Sequence, residues 1–108
     1  MAAHEKQTAR AERAARRALS DIGRELRLAR LNHDLSQRTA GAAAGISRAA
    51  WGRLERGQAD GTNVIHIARA AAVVGLDLRI KTYPGGRALR DQAHVELLER
   101  LRLRLAAE

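Results

Sequence analysis

The side chains in this chain best suited to chemistry are arginines, and three of them recur at helical spacing in the stretch QRTAGAAAGISRAAWGRLERG, residues 37–57. A guanidinium is planar, always charged, and carries a fork of donors that fits two phosphate oxygens or the O6 and N7 atoms of guanine. Placed at about 100° per residue on a helix, Arg48, Ala49, Gly52, Arg53 and Arg56 share one arc. Ala50, Trp51 and Leu54 fall opposite, with Ser47 at the border. An isolated arginine is usually a solvated surface charge. A shared face, in a segment with four arginines and one glutamate, points instead to a polyanion.

The small residues on that arc carry information too. An ordinary surface helix has Glu or Lys where Ala49 and Gly52 stand. Gly52 costs about 1 kcal/mol of helix stability relative to alanine, and close approach of a groove wall is a compensating gain. Arg48 and Arg53 are suited to guanine edges or phosphates, and Ala49 to a thymine methyl. Gln37 and the amides that open its helix suit the phosphate backbone, and Arg38 and Arg56 are further phosphate candidates.

The elements that must position this arc can be read from the same stretch. Ser36 is placed to cap a short helix from Gln37 to Ala44, which Gly45 stops because glycine reaches left-handed angles without steric cost. Ile46 plugs the turn, Ser47 caps a third helix running to about Arg56, and Gly57 ends it. Helix, turn and capped helix within some twenty residues is the spacing of a helix-turn-helix. Upstream, Leu19, Ile22, Leu26 and Ala29, widened by Leu28 and Leu31, predict an amphipathic first helix ending near Asn32. Downstream, Asp60-Gly61 reads as a turn with Thr62 as a cap. A fourth helix, Val64 to Val74, is expected to bury Val64, Ile67, Ala68, Ala71 and Val74 before Gly75 closes it.

Residues 1–18 hold five basic and two acidic side chains and no large apolar residue beyond Met1. They are expected to form a frayed, basic extension of the first helix. It is either a solvated arm or one lying along nucleic-acid phosphates. At the other end the period changes. Leu76, Leu78 and Ile80 alternate with Asp77, Arg79 and Lys81, which reads as a β-strand, and Tyr83-Pro84-Gly85-Gly86 breaks it. A lone strand cannot satisfy its own backbone groups, so its simplest partner is the same strand of a second copy across a two-fold axis. Leu89 to Leu105 is amphipathic again. Leu97, Leu98, Leu101 and Leu105 share one side, read as core or dimer contact ahead of a docking face for another protein.

Composition bounds the rest. The 108 residues fit one domain with tails, and with Trp51 and Tyr83 the only aromatic residues the core must be aliphatic. A formal charge of +8, carried by 18 arginines and 2 lysines, favours a polyanionic partner, and nucleic acid is the first candidate. The absence of cysteine removes disulfides and thiolate metal ligands. His4, His33, His66 and His94 are spaced for neither a metal site nor a catalytic pair, so no enzyme, metal or cofactor is expected. RNA binding is disfavoured because stacking aromatics are missing. No apolar run reaches the ~20 residues of a membrane span, and a cytoplasmic, nucleoid-associated protein is expected.

Gln37, Ala40, Ala44-Gly45-Ile46-Ser47, Arg53 and Leu54-Glu55-Arg56-Gly57 resemble the signature of the Xre-type helix-turn-helix family of Cro and phage-repressor-like proteins. The resemblance runs from about Leu19 to Leu76. It implies an all-α, lambda-repressor-like domain of five helices over residues 19–75, with the third helix in the major groove of double-stranded DNA. It also implies a structural ion pair between Arg30 and Glu55. Trp51 stands where the family usually has a β-branched aliphatic residue, so local packing must adjust. Ala49 and Gly52 leave few polar base readers, so base preference is modest or rests partly on DNA shape.

Residues 76–108 resemble the tail of the antitoxin-like branch, in which a strand beyond the DNA-binding helices pairs between subunits. That assigns dimerisation to Leu76, Leu78, Arg79, Ile80, Lys81, Leu98 and Leu101. The segment from Thr82 to Arg102 also resembles a connector in longer helix-turn-helix proteins, which makes this chain a free-standing or truncated relative. The expected function is sequence-specific DNA binding as a homodimer, acting as a repressor or autoregulator. The alternative is an antitoxin-like protein that binds a toxin or other protein through its C-terminal segment.

Overall fold

A computed structural model of the chain describes residues 2–84 and 99–104. Four helices follow one another: α1 (Ala2–Asn32), α2 (Gln37–Ala44), α3 (Arg48–Glu55) and α4 (Val64–Val73). Residues 99–104 are also helical. The first helix runs unbroken from Ala2, so residues 2–18 continue the amphipathic stretch that begins at Leu19 as one helix. Its Ala, Arg and Glu content favours helix along most of its length. Arg16 reaches back to Glu12 at 3.0 Å, and across to Asp60 in the α3–α4 loop at 2.6 Å. The five helices implied by the resemblance are four across residues 2–84.

Capping sets where the short helices start and stop. The Ser36 hydroxyl accepts from the Thr39 amide and the Ser47 hydroxyl from the Ala50 amide, both at 3.0 Å. Gly45 ends α2 in the left-handed region at φ 77°, the conformation expected of a glycine at that point. The cap of α4 is Asn63 and not Thr62: its side chain accepts from the Ile65 amide at 2.7 Å. The buried face of α4 centres on Ile67, Ala70, Ala71 and Val74, which leaves Val64 and Ala68 at its margin: Val64 is 48% exposed and Ala68 half-buried, not buried as expected.

The core is assembled from Leu26 of α1, Ala40 and Ala44 of α2, Trp51 and Leu54 of α3, and the α4 residues with Val74. Many of these are alanines, so the helices approach closely. The tightest crossing is at Gly23, where an added Cβ would lie 2.4 Å from the Leu54 carbonyl oxygen and 2.7 Å from that of Glu55. Alanine normally stabilises a helix interior by about 1 kcal/mol over glycine. Here the sign is expected to reverse, because the methyl meets backbone that cannot rotate away. Gly23→Ala should lower unfolding free energy by about 1–3 kcal/mol, the usual cost of overpacking, as read by urea denaturation followed through Trp51 fluorescence.

The strand expected over Leu76, Leu78 and Ile80 is not present: among the described residues there is no strand, and residues 76–84 have no regular structure. A strand is defined by its ladder, and one chain supplies no second strand to complete it. Leu78 does not alternate outward but packs against the core, while Leu76 and Ile80 are exposed. Arg79 pairs with Asp77 at 2.8 Å, and the Lys81 ammonium sits 5.3 Å from the centre of the Tyr83 ring. Leu101 is exposed, and Leu98 lies outside the described residues. No helix among the described residues is long and apolar enough to cross a membrane.

Candidate nucleic-acid interface

The site is built on α2 and α3, which pack against each other across the Gly45–Ser47 turn. Gly41 makes that packing possible, since a Cβ there would stand 3.0 Å from the Ile46 carbonyl oxygen. Trp51 and Leu54 anchor the inner face of α3, with Trp51 wholly buried. The outer face then presents a recess lined by Gln37, Arg48, Ala49, Gly52, Arg53, Arg56 and Gln58. A second recess beside it is lined by Arg30, Ser36, Gln37, Arg38 and Arg48. Of the α2 and α3 residues singled out from the sequence, Gln37, Arg38, Arg48, Ala49, Gly52, Arg53 and Arg56 line these two recesses, whereas Ser47 lines a separate one with Ala50 and Arg53.

The roles within the surface differ. Arg38, Arg48 and Arg53 are exposed, and no side-chain partner holds them among the described residues. Arg56 is held instead, its Nε donating to Gln58 Oε1 at 3.2 Å. Ser47 is exposed while serving as the α3 cap. Gly52 is a correction: it is buried, not open on the outward arc. An added Cβ would lie 3.2 Å from Arg56 Nη1 and 3.8 Å from Gln37 Nε2. The glycine therefore makes room for the Gln37 and Arg56 side chains to close over the helix.

Beneath the surface lies a polar hub centred on Glu55. Its carboxylate accepts from Arg30 Nε at 2.5 Å and Arg30 Nη2 at 3.1 Å, from the Trp51 indole N–H at 2.6 Å and from Gln37 Nε2 at 3.0 Å. Arg30 uses its remaining arm on the Leu35 carbonyl, 2.9 Å away. The ion pair is therefore one edge of a network joining α1, α2 and α3. The network also accounts for Trp51, whose buried N–H finds its acceptor one helical turn along on the same helix. No buried side-chain polar atom among the described residues lacks a partner.

Sequence reasoning missed Gly23, the Trp51–Glu55 bond and the Gln37–Glu55 bond. Signals existed for two of them. Gly23 falls on the inward arc of α1 beside Ile22 and Leu26, where a glycine marks close approach of another backbone. Trp51 and Glu55 stand four apart, a spacing at which side chains on one helix meet.

Burial works against ionisation of Glu55. The hydrogen bonds from Arg30, Gln37 and Trp51, with the Arg30 charge, outweigh it and hold the carboxyl below its usual range. A depressed folded value contributes stability that is complete above the unfolded carboxyl value, about 4.3, and is lost as pH falls through it toward the folded value. Melting temperature is accordingly expected to decline below about pH 4.3, and more steeply for the wild type than for Glu55→Gln. Parallel pH profiles for the two proteins, followed by circular dichroism, would count against the network.

Residues 21–79, more than half of the chain, match the family model of a helix-turn-helix domain. No curated protein and no solved structure matches the chain.

Proposed function

This chain belongs to the helix-turn-helix domain family, and on that premise we propose that it binds double-stranded DNA sequence-specifically through α3, as a homodimer that represses its own or neighbouring genes. The observation that carries this reading is the contrast between the two faces of α3. The inner face is locked by Trp51, Leu54 and the Glu55 hub, while Arg48 and Arg53 on the outer face are exposed and uncommitted. A rigid helix with free guanidinium groups at its surface is what base reading in a major groove requires.

Dimerisation is supported by residues 77–84, where no backbone–backbone hydrogen bond is made among the described residues. Exposed Ile80 and the backbone beside it are free for the matching segment of a second copy, and pairing would complete the missing ladder. Two α3 helices related by the two-fold axis would read half-sites roughly 34–36 Å apart. An antitoxin-like role, with a protein partner on the C-terminal helix, is the second reading, favoured by the exposure of Leu101 and Leu103.

Selection of binding sites from random duplex at two salt concentrations, with light scattering for mass, tests both parts. A two-fold symmetric consensus and a dimer mass are expected. No enriched sequence would refute specific recognition, and a monomer mass would refute pairing. Co-purification of a stoichiometric protein from the native host would favour the second reading.

A further inference from the structure

The half of α1 that extends beyond the bundle carries its charges in an ordered way. Lys6, Arg10, Arg13 and Arg17 succeed one another at four-, three- and four-residue steps. At about 100° per residue they fall within an arc of roughly 60°. All four are exposed, and none makes an ion pair or hydrogen bond among the described residues. Over residues 6–17 the one acidic side chain, Glu12, is turned to another face and bound to Arg16. Arg24 falls on the same arc but is tied to Asp21, so the free stripe ends at Arg17.

The direction of this stripe is set by the core. The residues that seat α1 on the bundle are Leu19, Ile22, Gly23, Leu26 and Arg30. On the helical wheel their mean direction lies roughly 155° from the stripe. Gly23 meets α3 from the side of Leu54 and Glu55, whereas Ala49, Arg53 and Arg56 fall on the far side of α3; Arg48 lies nearer α1, in the recess it shares with Arg30. The basic stripe and the centre of the reading face therefore look in largely opposite directions, which disfavours contact of one straight duplex with both.

We propose that the stripe is a second DNA-binding surface, independent of sequence, that takes a different duplex segment from the one read by α3. One protein molecule would then hold two segments together. The inference rests on α3 being the reading helix. Lys6 to Arg17 spans about 16 Å of helix, the axial length of about five phosphates on one DNA strand. Residues 6–18 contain no large apolar side chain, which disfavours a membrane surface, since an interfacial helix needs apolar anchors on its other face.

The test uses the full chain bound to an immobilised duplex carrying its selected site, with capture of a second, labelled duplex of unrelated sequence as the readout. Wild type is expected to capture it, and four phosphate contacts should make capture fall by about a hundredfold between 50 and 200 mM salt. The variant Lys6→Gln/Arg10→Gln/Arg13→Gln/Arg17→Gln should lose capture while binding the immobilised site with unchanged preference over random duplex. Capture retained by the variant overturns the inference, because two reading heads of a dimer would then suffice. Equal loss of first-site binding overturns it as well, placing the stripe on the same duplex as α3. Absence of site preference in the wild type, with capture still dependent on the stripe, would refute the reading of α3 and leave the stripe as a general DNA surface.

Discussion

Replacing Glu55 with alanine is expected to destabilise the domain by about 3–5 kcal/mol, the cost of breaking a buried ion pair from one side. The loss is large because three donor side chains depend on one carboxylate. Arg30, whose side chain is only 10% exposed, would keep its charge in a place that water barely reaches. The wholly buried Trp51 would be deprived of the acceptor of its indole N–H, and Gln37 of its tether to α3. Small domains have about 5–15 kcal/mol in total, so the loss is a large fraction of the whole and the denaturation midpoint should fall markedly. Guanidinium denaturation followed by far-UV circular dichroism measures this directly. Glu55→Gln, which keeps shape and one acceptor oxygen, should fall between the two. A Glu55→Ala protein within about 1 kcal/mol of wild type, the scale of an exposed ion pair, would mean that the network contributes little.

The second large effect concerns DNA. Arg48→Ala and Arg53→Ala should each weaken binding to the selected site by roughly ten- to a hundredfold, in line with about 1–3 kcal/mol for a bidentate arginine–guanine pair. Binding to random duplex should change far less, so the ratio of the two affinities is the quantity to report. Both side chains are exposed and without partners among the described residues, so thermal stability should stay at the wild-type value. Arg38→Ala supplies the contrast: removing a cation that grips phosphate weakens all sequences alike and lowers the salt slope by about one. Equal weakening on selected and random DNA for Arg48→Ala and Arg53→Ala would show that these arginines grip phosphate and do not read bases.

The two predictions act on the same short helix, one on its buried carboxylate and the other on its exposed arginines. Eight residues of α3 would not hold a helix in isolation, since chains shorter than about 12–15 residues are marginal in water. The Glu55 hub and Trp51 provide the support. The reading face inherits its rigidity from Arg30 on α1 and Gln37 on α2, both bound to the residue that ends α3.

The sequence by itself determined the local features of this protein. Ser36, Ser47 and Gly45 act within a few residues of themselves, so their capping and turn roles need no knowledge of the rest of the chain. The outward arc of Arg48, Ala49, Arg53 and Arg56 follows from helical periodicity alone. Tertiary structure decided what depends on a second element. Gly52, outward by periodicity, is covered because the Gln37 side chain reaches over it from α2 and Arg56 folds back from the end of α3. The alternation of Leu76, Leu78 and Ile80 is a property of one segment, but a ladder belongs to two, and Leu78 is drawn to the core instead. The backbone that meets Gly23, and the convergence of Arg30 from α1 and Gln37 from α2 on Glu55, are settled where separate helices cross. Side-chain spacing along one helix carries no record of which backbone will press against it.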